Sequence, residues 1–373
     1  MPYGPATRDR LTYGLSAAGG KRLVVATGGS GGHIYPALAF AEEFERREPG
    51  SHLFFTIGSR PIEEQLMRKV PKENVFKLFG KPRNFHRDFG YARDLLRSLR
   101  AEAVVGFGGY TTVPVVVAAW SLGIPVLIHE QNAAPGLANR LLAPLATRVA
   151  VSFPISKPSG PKAVQTGMPL RSALRRVERV EALRALGLDP ARKTFLICGG
   201  SQGARALNEA VQIFVRGAGT GFVRDWQIVH LAGAADFEAQ KAFYEGVSVP
   251  HRLFSFYEDM SIIYSGADLV LSRAGSLTVH ELAFFAKSAA LVPYPGARAH
   301  QAANAEILRE KGAAKIIWQN ELGAERVAGL VAEAEKDPAG LAETGAKLAA
   351  LLKTDGAGVL VEEVLKMAVE SSS

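Results

Sequence analysis

The chain contains a single cysteine, Cys198, among its 373 residues. One thiol can form neither an internal disulfide nor a cysteine-based metal cluster, and this usage is typical of a reducing compartment. The sequence also has no Asp-x-Asp pair and no set of histidines and carboxylates with metal-ligand spacing. We therefore predict a cytoplasmic protein that uses neither a metal nor a cofactor.

Long apolar segments are also scarce. Residues 1–20 carry Arg8 and Arg10 but no long apolar core, so we predict a flexible leader rather than a signal peptide. One uncharged stretch, from Ala103 to Ile128, is long enough on paper to cross a bilayer. Its four glycines and two prolines divide it into a strand, a turn, a short helix and a second strand. We therefore reject a membrane span there.

Hydrophobic residues make up 47% of the chain and charged residues 21%, which is typical of globular proteins and excludes a mostly disordered chain. The length suffices for two domains, each with its own core. The 44 Lys and Arg exceed the 36 Asp and Glu, giving a net charge of +8, so the surface favours anionic partners such as phosphates or acidic lipid headgroups. No nucleic-acid-binding motif accompanies this charge, and we predict no nucleic-acid partner.

Short β-branched runs alternate with helical stretches along the chain. Strands are predicted at 22–26, 53–57, 103–107, 125–129, 193–198, 227–231, 269–272 and 289–293. This alternation predicts an α/β fold with parallel sheets between helices. Four prolines interrupt the sequence between Phe153 and Pro169, as in an interdomain linker. We therefore predict two Rossmann-like domains that face each other across a cleft, at 21–163 and 164–350, with a C-terminal helix at 356–369 that joins the first.

Two glycine-rich loops stand at matching positions, each between a strand and a helix. Gly28–Gly32 follows the strand that ends at Ala26, and Gly199–Gly203 follows the strand that ends at Cys198. Such loops direct backbone N–H groups and the positive end of a helix dipole toward an anion, and a diphosphate fits this chemistry. The first loop matches neither the dinucleotide fingerprint nor the P-loop. A tight turn needed only for packing is the alternative.

Polar side chains follow these loops and the later strands. His33 lies at the start of a helix, where the helix dipole disfavours the imidazolium and leaves the ring available as a base. A packing histidine is the alternative. Glu281 lies in a helix predicted to start near Ser276, so the helix start can receive a phosphate while the carboxylate accepts from a ribose diol. Gln301 and Asn304 can share one face of a later helix and bind sugar hydroxyls, although solvated amides are commoner.

The stretch from Phe76 to Arg100 is rich in aromatic and basic residues. Tyr91, Leu95 and Leu99 form an apolar stripe with a period of four, and three arginines lie off that stripe. This pattern is typical of a basic amphipathic helix that lies on an anionic membrane surface. A helix that faces the core and has a basic outer face is the alternative.

Taken together, these segments resemble the bacterial MurG family, the N-acetylglucosaminyltransferases that make the peptidoglycan precursor lipid II. The resemblance spans roughly Lys21 to Lys366. It is carried by Gly28–Ala39, Gly106–Tyr110, His129–Asn132, Gly199–Arg205, Ser272–Glu281 and His300–Asn304. It implies a GT-B fold and an inverting transfer of GlcNAc from UDP-GlcNAc to the C4 hydroxyl of undecaprenyl-diphospho-MurNAc-pentapeptide. It also implies a peripheral enzyme on the cytoplasmic face of the cell membrane, with a UDP-GlcNAc-binding second domain and a first domain for the acceptor and the membrane.

The resemblance also implies roles for individual residues. Ser201 and the helix start at Ser276 would meet the diphosphate, Tyr257 the uracil, Glu281 the ribose and Gln301 the GlcNAc hydroxyls. The donor-side residues that match the family motifs are Asn132, Arg171, Ser201, Tyr257, Ser276, Leu277, Thr278, Val279, His280, Glu281, Gln301 and Asn304. Those on the acceptor side are Ser30, Gly31, Gly32, His33, Tyr110, His129 and Glu130. His33 is the favoured general base, and Glu130 is the competitor.

Two features depart from the family pattern. Met168 stands where relatives have asparagine, so a polar role of that side chain is absent, and the region after Phe76 is compressed. Three other functions remain open: a UDP-GlcNAc 2-epimerase, a non-catalytic nucleotide-binding module, and another lipid glycosyltransferase such as a galactolipid synthase.

Overall fold

Two parallel sheets organise the chain, whose computed structural model describes residues 20–154, 162–200, 203–296 and 300–370. The chain divides into one compact unit of Met1–Ser172 with Lys353–Ser373 and a second of Ala173–Leu352. The boundary therefore lies after Ser172 rather than after residue 163. The reason is that a strand at Ala163–Gln165 pairs with the first sheet, within the stretch that its prolines suggested was a linker. The predicted leader falls almost wholly outside the described residues.

The first unit contains a seven-stranded sheet in the order β3-β2-β1-β4-β5-β6-β7. Its strands are β1 (Arg22–Ala26), β2 (His52–Ile57), β3 (Val75–Lys77), β4 (Ala103–Gly106), β5 (Val126–Glu130), β6 (Arg148–Val151) and β7 (Ala163–Gln165). Its helices are α1 (Gly31–Arg47), α2 (Pro61–Leu66), α3 (Phe85–Ser98), α4 (Thr112–Ser121), α5 (Leu137–Leu142) and the C-terminal helix (Gly356–Glu370). Short 3-10 turns cover Lys72–Asn74, Pro82–Asn84 and Ala143–Leu145.

Both faces of this sheet are covered, which explains why its central strands are apolar along their whole length. On one face, Phe40 of α1 and Leu360 of the C-terminal helix are buried in one core. On the other face, α3 and α4 contribute Leu96 and Val116 to a second core. The uncharged stretch from residue 103 to 128 forms β4, α4 and β5. None of the helices in the described ranges has both the length and the apolar character that crossing a bilayer requires.

The apolar stripe of α3 faces the protein core. Leu95 and Leu99 are 2% and 1% exposed, and Tyr91 is half-buried against the same cluster. Of the two interpretations of this helix, the burial of its apolar stripe against the sheet supports the one that faces the core. The basic residues remain on the outer face, and Arg87 and Arg97 are exposed.

The second unit contains a six-stranded sheet in the order β10-β9-β8-β11-β12-β13. Its strands are β8 (Lys193–Cys198), β9 (Trp226–Leu231), β10 (His251–Phe254), β11 (Leu269–Ser272), β12 (Ala289–Leu291) and β13 (Lys315–Ile316). Its helices are α6 (Arg179–Ala185), α7 (Arg205–Gly217), α8 (Thr220–Asp225), α9 (Phe237–Glu245), α10 (Met260–Gly266), α11 (Ser276–Phe284), α12 (His300–Glu310), α13 (Ala324–Lys336) and α14 (Pro338–Leu351). A 3-10 turn covers Gln319–Glu321.

Each sheet reverses its strand order at one point, between β1 and β4 in the first unit and between β8 and β11 in the second. In doubly wound sheets, ligands bind in the crevice outside the carboxyl ends of the strands at such a point. Ala26 pairs with Gly106, and Cys198 pairs with Ser272, so both glycine loops emerge there. The predicted α/β class with two parallel-sheet, Rossmann-like domains is confirmed.

Candidate active site

His33 lies in the first turn of α1, directly after the first glycine loop. Its Nδ1 is 3.0 Å from the Gly28 carbonyl oxygen. Because a carbonyl oxygen only accepts, Nδ1 must carry the proton, and Nε2 is the nitrogen of the neutral ring that can take one up. Gly108 lies close to Nε2, because a Cβ atom added to Gly108 would be 3.3 Å from that nitrogen. The geometry therefore matches a general base directed away from the loop.

The loop after β4 is held beside the first glycine loop by two buried threonines. Thr111 Oγ1 donates to the Thr27 carbonyl (2.9 Å), and Thr112 Oγ1 donates to the Gly108 carbonyl (2.7 Å). Tyr110 precedes them and is only half-buried. Burial, followed by the negative charge of Asp88, raises the pKa of the Tyr110 hydroxyl. Tyr110 therefore keeps its proton near neutral pH and can donate a hydrogen bond.

Glu130 ends β5 with its carboxylate turned into the protein, and the residue is 3% exposed. One oxygen accepts from the Asn132 N–H (2.9 Å), and the other accepts from the Gly136 N–H (2.9 Å) and from Asn139 Nδ2 (2.8 Å). These bonds hold the backbone between β5 and α5. A carboxylate engaged in this way supports a loop, and the geometry favours His33 over Glu130 as the base.

His129 is fully buried, and its implied place on the acceptor side stays a prediction. Its Nε2 lies 3.1 Å from the Gly167 carbonyl oxygen and 3.1 Å from Ser152 Oγ. Strand alternation directs His129 and Glu130 to opposite faces of the sheet, and because both faces are covered, both side chains are buried. Met168 is also fully buried, and it packs beside Ser152.

Asn132 and Arg171 are the two predicted donor contacts that belong to the first unit. Asn132 is half-buried, and its side-chain amide also donates to Glu130 (3.3 Å). The Arg171 guanidinium lies 5.2 Å from the ring centroid of Tyr35, in a cation–π contact that fixes the cation over α1.

The second glycine loop approaches its neighbours more closely than a side chain would allow. A Cβ at Gly203, which has φ 75, would overlap the Ala232 carbonyl oxygen. Ala232 is itself held by Asn208 Nδ2 (3.1 Å), whose Oδ1 lies 2.9 Å from His230 Nε2. Burial lowers the pKa of His230 to about 3. A neutral histidine, His230, and the amide of Asn208 thus fix this side of the loop. Ser201 lies outside the described residues.

The helix α11 starts beside this loop, at the carboxyl end of β11. Gly275 occupies its N-cap position and has no side chain that could accept from the first-turn N–H groups. Those groups belong to Ser276, Leu277 and Thr278. The next two residues, Val279 and His280, are fully buried, and His280 Nδ1 lies 2.8 Å from the Ser276 carbonyl oxygen. An uncapped helix start suits a phosphate.

Glu281 lies at the buried end of the same site. It is 5% exposed and accepts from the Tyr264 hydroxyl (3.1 Å). The pKa of the Cys198 thiol is raised to about 11. Burial is the largest cause, a hydrogen bond with the Gly200 backbone opposes it, and the negative charge of Glu281 adds to the rise. Glu281 therefore lies near the end of β8 and is buried rather than solvated.

Gln301 and Asn304 on α12 are tied to neighbouring loops rather than solvated. Asn304 is fully buried and donates to the Ala274 carbonyl (3.1 Å), while Gln301 Oε1 accepts from the Tyr294 N–H (2.9 Å). Tyr257 follows β10 and is half-buried, with its ring 4.7 Å from that of Phe254. All three residues follow the carboxyl ends of strands, and Gln301 keeps an amide N–H₂ for a ligand.

Arg273, which was not among the predicted site residues, lies in the loop between β11 and α11. Its guanidinium donates to the Val292 carbonyl (3.1 Å) and to Gln319 Oε1 (2.8 Å), and it lies 5.5 Å from the Tyr294 ring centroid. Burial lowers its pKa. A cavity of about 400 Å³ beside it is lined by Tyr294 and Gln319. The only sequence feature that sets Arg273 apart is its place between a buried strand and a glycine.

A larger cavity of about 1110 Å³ lies at the amino ends of the inner strands β8 and β9, and it is lined by residues such as Arg192, Phe222 and Glu325. It holds none of the predicted site residues. In the described ranges, no three His, Cys, Asp or Glu side chains are grouped as a metal site would require.

Comparison with known proteins identifies the family. The models for the N-terminal and C-terminal domains of glycosyltransferase family 28 match residues 23–151 and 194–359. The crystal structure of Acinetobacter baumannii MurG superposes with a TM-score of 0.76 at 30% identity, covering 93% of this chain and 100% of that one. The chain belongs to the MurG group of glycosyltransferase family 28. The resemblance stated from the motifs is confirmed, and so is the class of enzyme, a UDP-sugar glycosyltransferase.

A family 28 relative from Trichlorobacter lovleyi is named UDP-N-acetylglucosamine--N-acetylmuramyl-(pentapeptide) pyrophosphoryl-undecaprenol N-acetylglucosamine transferase. It is 33% identical over 375 residues, which cover 92% of this chain and 98% of that protein. The UDP-GlcNAc 2-epimerase of Neisseria meningitidis has a TM-score of 0.62 at 14% identity, covering 94% of this chain and 100% of that one. That likeness shows the shared fold alone.

Proposed function

We propose that this family 28 enzyme transfers GlcNAc from UDP-GlcNAc to the C4 hydroxyl of undecaprenyl-diphospho-MurNAc-pentapeptide and inverts the anomeric carbon. The observation that carries the proposal is the likeness, over 92% of the chain, to a transferase named for this reaction. The product is lipid II, so the enzyme serves peptidoglycan synthesis and, through it, cell shape and division.

The second unit binds the donor in this proposal. The diphosphate contacts the second glycine loop with Ser201 and the uncapped start of α11, because aligned N–H groups stabilise negative charge. Glu281, near the end of β8, accepts from the ribose diol. Gln301 donates to a GlcNAc hydroxyl, since its Oε1 is already used by Tyr294. Tyr257 stacks on the uracil.

The first unit binds the acceptor, and His33 performs the proton transfer. As the acceptor C4 oxygen attacks the sugar C1, the bond from C1 to the β-phosphate oxygen breaks and UDP leaves with the electron pair. His33 Nε2 takes the hydroxyl proton, because Nδ1 is committed to the Gly28 carbonyl. The half-buried Tyr110, with its raised pKa, donates to the acceptor.

We also propose that the outer face of α3 holds the enzyme at the cytoplasmic face of the membrane. Exposed arginines on α3, including Arg87 and Arg97, attract anionic headgroups, and the neighbouring Trp120 of α4 is 56% exposed. Co-sedimentation with phosphatidylglycerol vesicles tests this. Replacing both arginines with serine weakens binding at low salt, whereas unchanged binding contradicts the proposal.

The decisive experiment supplies UDP-GlcNAc with and without a lipid-linked muramyl peptide and follows UDP release. We expect release only with the acceptor, and a disaccharide product. UDP-ManNAc formed without acceptor would indicate an epimerase, and UDP binding without any turnover would indicate a non-catalytic module. Turnover with a different lipid acceptor alone would indicate another lipid glycosyltransferase.

A further inference from the structure

A buried carboxylate outside the predicted site touches the first glycine loop. Glu63, in the first turn of α2, is 2% exposed. Its Oε1 accepts a hydrogen bond from the Gly29 N–H, and its Oε2 accepts from the Arg60 N–H (3.3 Å). The second bond is ordinary capping of its own helix, but the first reaches a residue 34 positions earlier in the chain.

Two glycines make room for this carboxylate. A Cβ on Gly58 would lie 2.5 Å from Glu63 Oε2, and a Cβ on Gly28 would lie 3.2 Å from Oε1. The next residue, Glu64, is exposed and pairs with Lys77 at 2.8 Å. Glu63 is thus enclosed by backbone, whereas its neighbour makes an ordinary surface ion pair. This enclosure gives the carboxylate one orientation.

One peptide group connects Glu63 with His33. The peptide between Gly28 and Gly29 donates its N–H to Glu63 and accepts the His33 Nδ1 proton on its carbonyl oxygen at 3.0 Å. Hydrogen bonds in such a chain polarise one another, and a bond to an ionised acceptor is the stronger kind. Negative charge at the N–H end therefore strengthens the acceptor at the carbonyl end.

We propose that Glu63 is a positioning residue that acts on His33 through the Gly28–Gly29 peptide. It fixes the plane of that peptide and raises the electron density on its carbonyl oxygen. The ring is thereby held with its proton on Nδ1 and with Nε2 as the accepting nitrogen. The carboxylate of a hydrolase triad does the same by direct contact with its histidine. This inference rests on the proposed role of His33 as the base.

The first test is kinetic and uses Glu63→Gln, which keeps the size and one acceptor oxygen but removes the charge. We expect kcat to fall about tenfold, the difference between a charge-assisted and a neutral hydrogen bond, with the KM for UDP-GlcNAc unchanged. Glu64→Gln, on the same helix, is the matched control and stays within about twofold of wild type.

The same change in a His33→Ala background separates positioning from support of the fold. If Glu63 acts through the imidazole, Glu63→Gln lowers the residual rate of His33→Ala by less than about twofold. An equal loss of rate in both backgrounds would overturn the proposal, since a structural role is independent of the ring. So would a wild-type kcat for Glu63→Gln.

The second test can be decided on the wild-type protein alone. Nitrogen-15 NMR of the histidine rings, with the His33 signal assigned from His33→Ala, reports which nitrogen carries the proton. We expect the Nδ1–H form in the wild type and a mixture of forms in Glu63→Gln. A wild-type ring protonated on Nε2 refutes the relay even if the variant does not fold. Absence of acceptor-dependent UDP release would instead refute the proposed function and leave this reading of the ring intact.

Discussion

Replacing Glu130 with glutamine tests whether this buried carboxylate supports a loop or takes the proton. Four donors reach it: the N–H groups of Asn132 and Gly136 and the side-chain amides of Asn132 and Asn139. Glutamine keeps one oxygen for two of them but places an NH₂ group against the other two. Two hydrogen bonds to a carboxylate are lost, at about 1.5 kcal/mol each, so the loop is destabilised by about 3 kcal/mol.

Hydrogen exchange measures this loss directly. Opening of the segment from residue 130 to 140 becomes more frequent, and its amides exchange about 100-fold faster, because about 1.4 kcal/mol corresponds to a factor of ten. The control is Glu102→Gln, which removes a surface carboxylate that pairs with Arg22 at 2.8 Å. That pair is partly exposed, so we expect almost no change in exchange.

Turnover decides between the two roles. A supporting Glu130 gives a variant with faster exchange, a moderate loss of kcat and unchanged UDP affinity. The reasoning is refuted if Glu130→Gln keeps the exchange rates of the wild type while kcat falls by about 10²-fold or more, since that is the behaviour of a lost general base.

Three further predictions concern other residues. His33→Ala lowers kcat by about 10²–10⁴-fold and leaves UDP affinity, measured by calorimetry, intact; near-normal turnover would contradict the assignment. Glu281→Gln raises the KM for UDP-GlcNAc by about tenfold or more, with less effect on kcat, because a bond present in ground and transition states is weakened; an unchanged KM excludes a ribose contact. His230 has a folded pKa of about 3 against an ordinary 6.5, so the unfolded chain binds the extra proton between these values. The contribution of His230 to the free energy of unfolding of the second unit, measured with urea, is therefore fully present above pH 6.5 and falls by about 1.4 kcal/mol per pH unit below it. His230→Gln lacks this pH-dependent contribution, and identical pH profiles for the two proteins would contradict its assignment to His230.

The sequence allowed the frame of the molecule to be predicted because buried parallel strands are apolar throughout. The bounds of β1 and β8 agree with the predicted ranges at both ends. Each glycine loop also lies between a strand end and a helix start, as predicted. That both loops lie at a strand-order reversal is visible only in the sheet topology. The helix that was predicted to start near Ser276 does begin at that residue.

The contacts that bring distant residues together could not be predicted. Glu63 reaches Gly29 across 34 positions, and Tyr264 reaches Glu281 across 17. No local pattern encodes either contact, because each depends on how two elements that are distant in the sequence pack together. The burial of His129 and Glu130 could not be predicted either: motif spacing identifies the strand end, but both faces of the sheet are covered there, so both side chains are enclosed.

The two glycine loops are alike in sequence but differ in electrostatics. In the first, a carboxylate of the protein itself already accepts from the Gly29 N–H. A second anion at that point would be repelled by Glu63 and would find one of its donors occupied. In the second, the Gly203 N–H closes the loop onto the Gly200 carbonyl at 2.9 Å, and an uncapped helix begins alongside at Ser276. These contacts support our proposal that the diphosphate binds at the second loop and that the first loop orients His33.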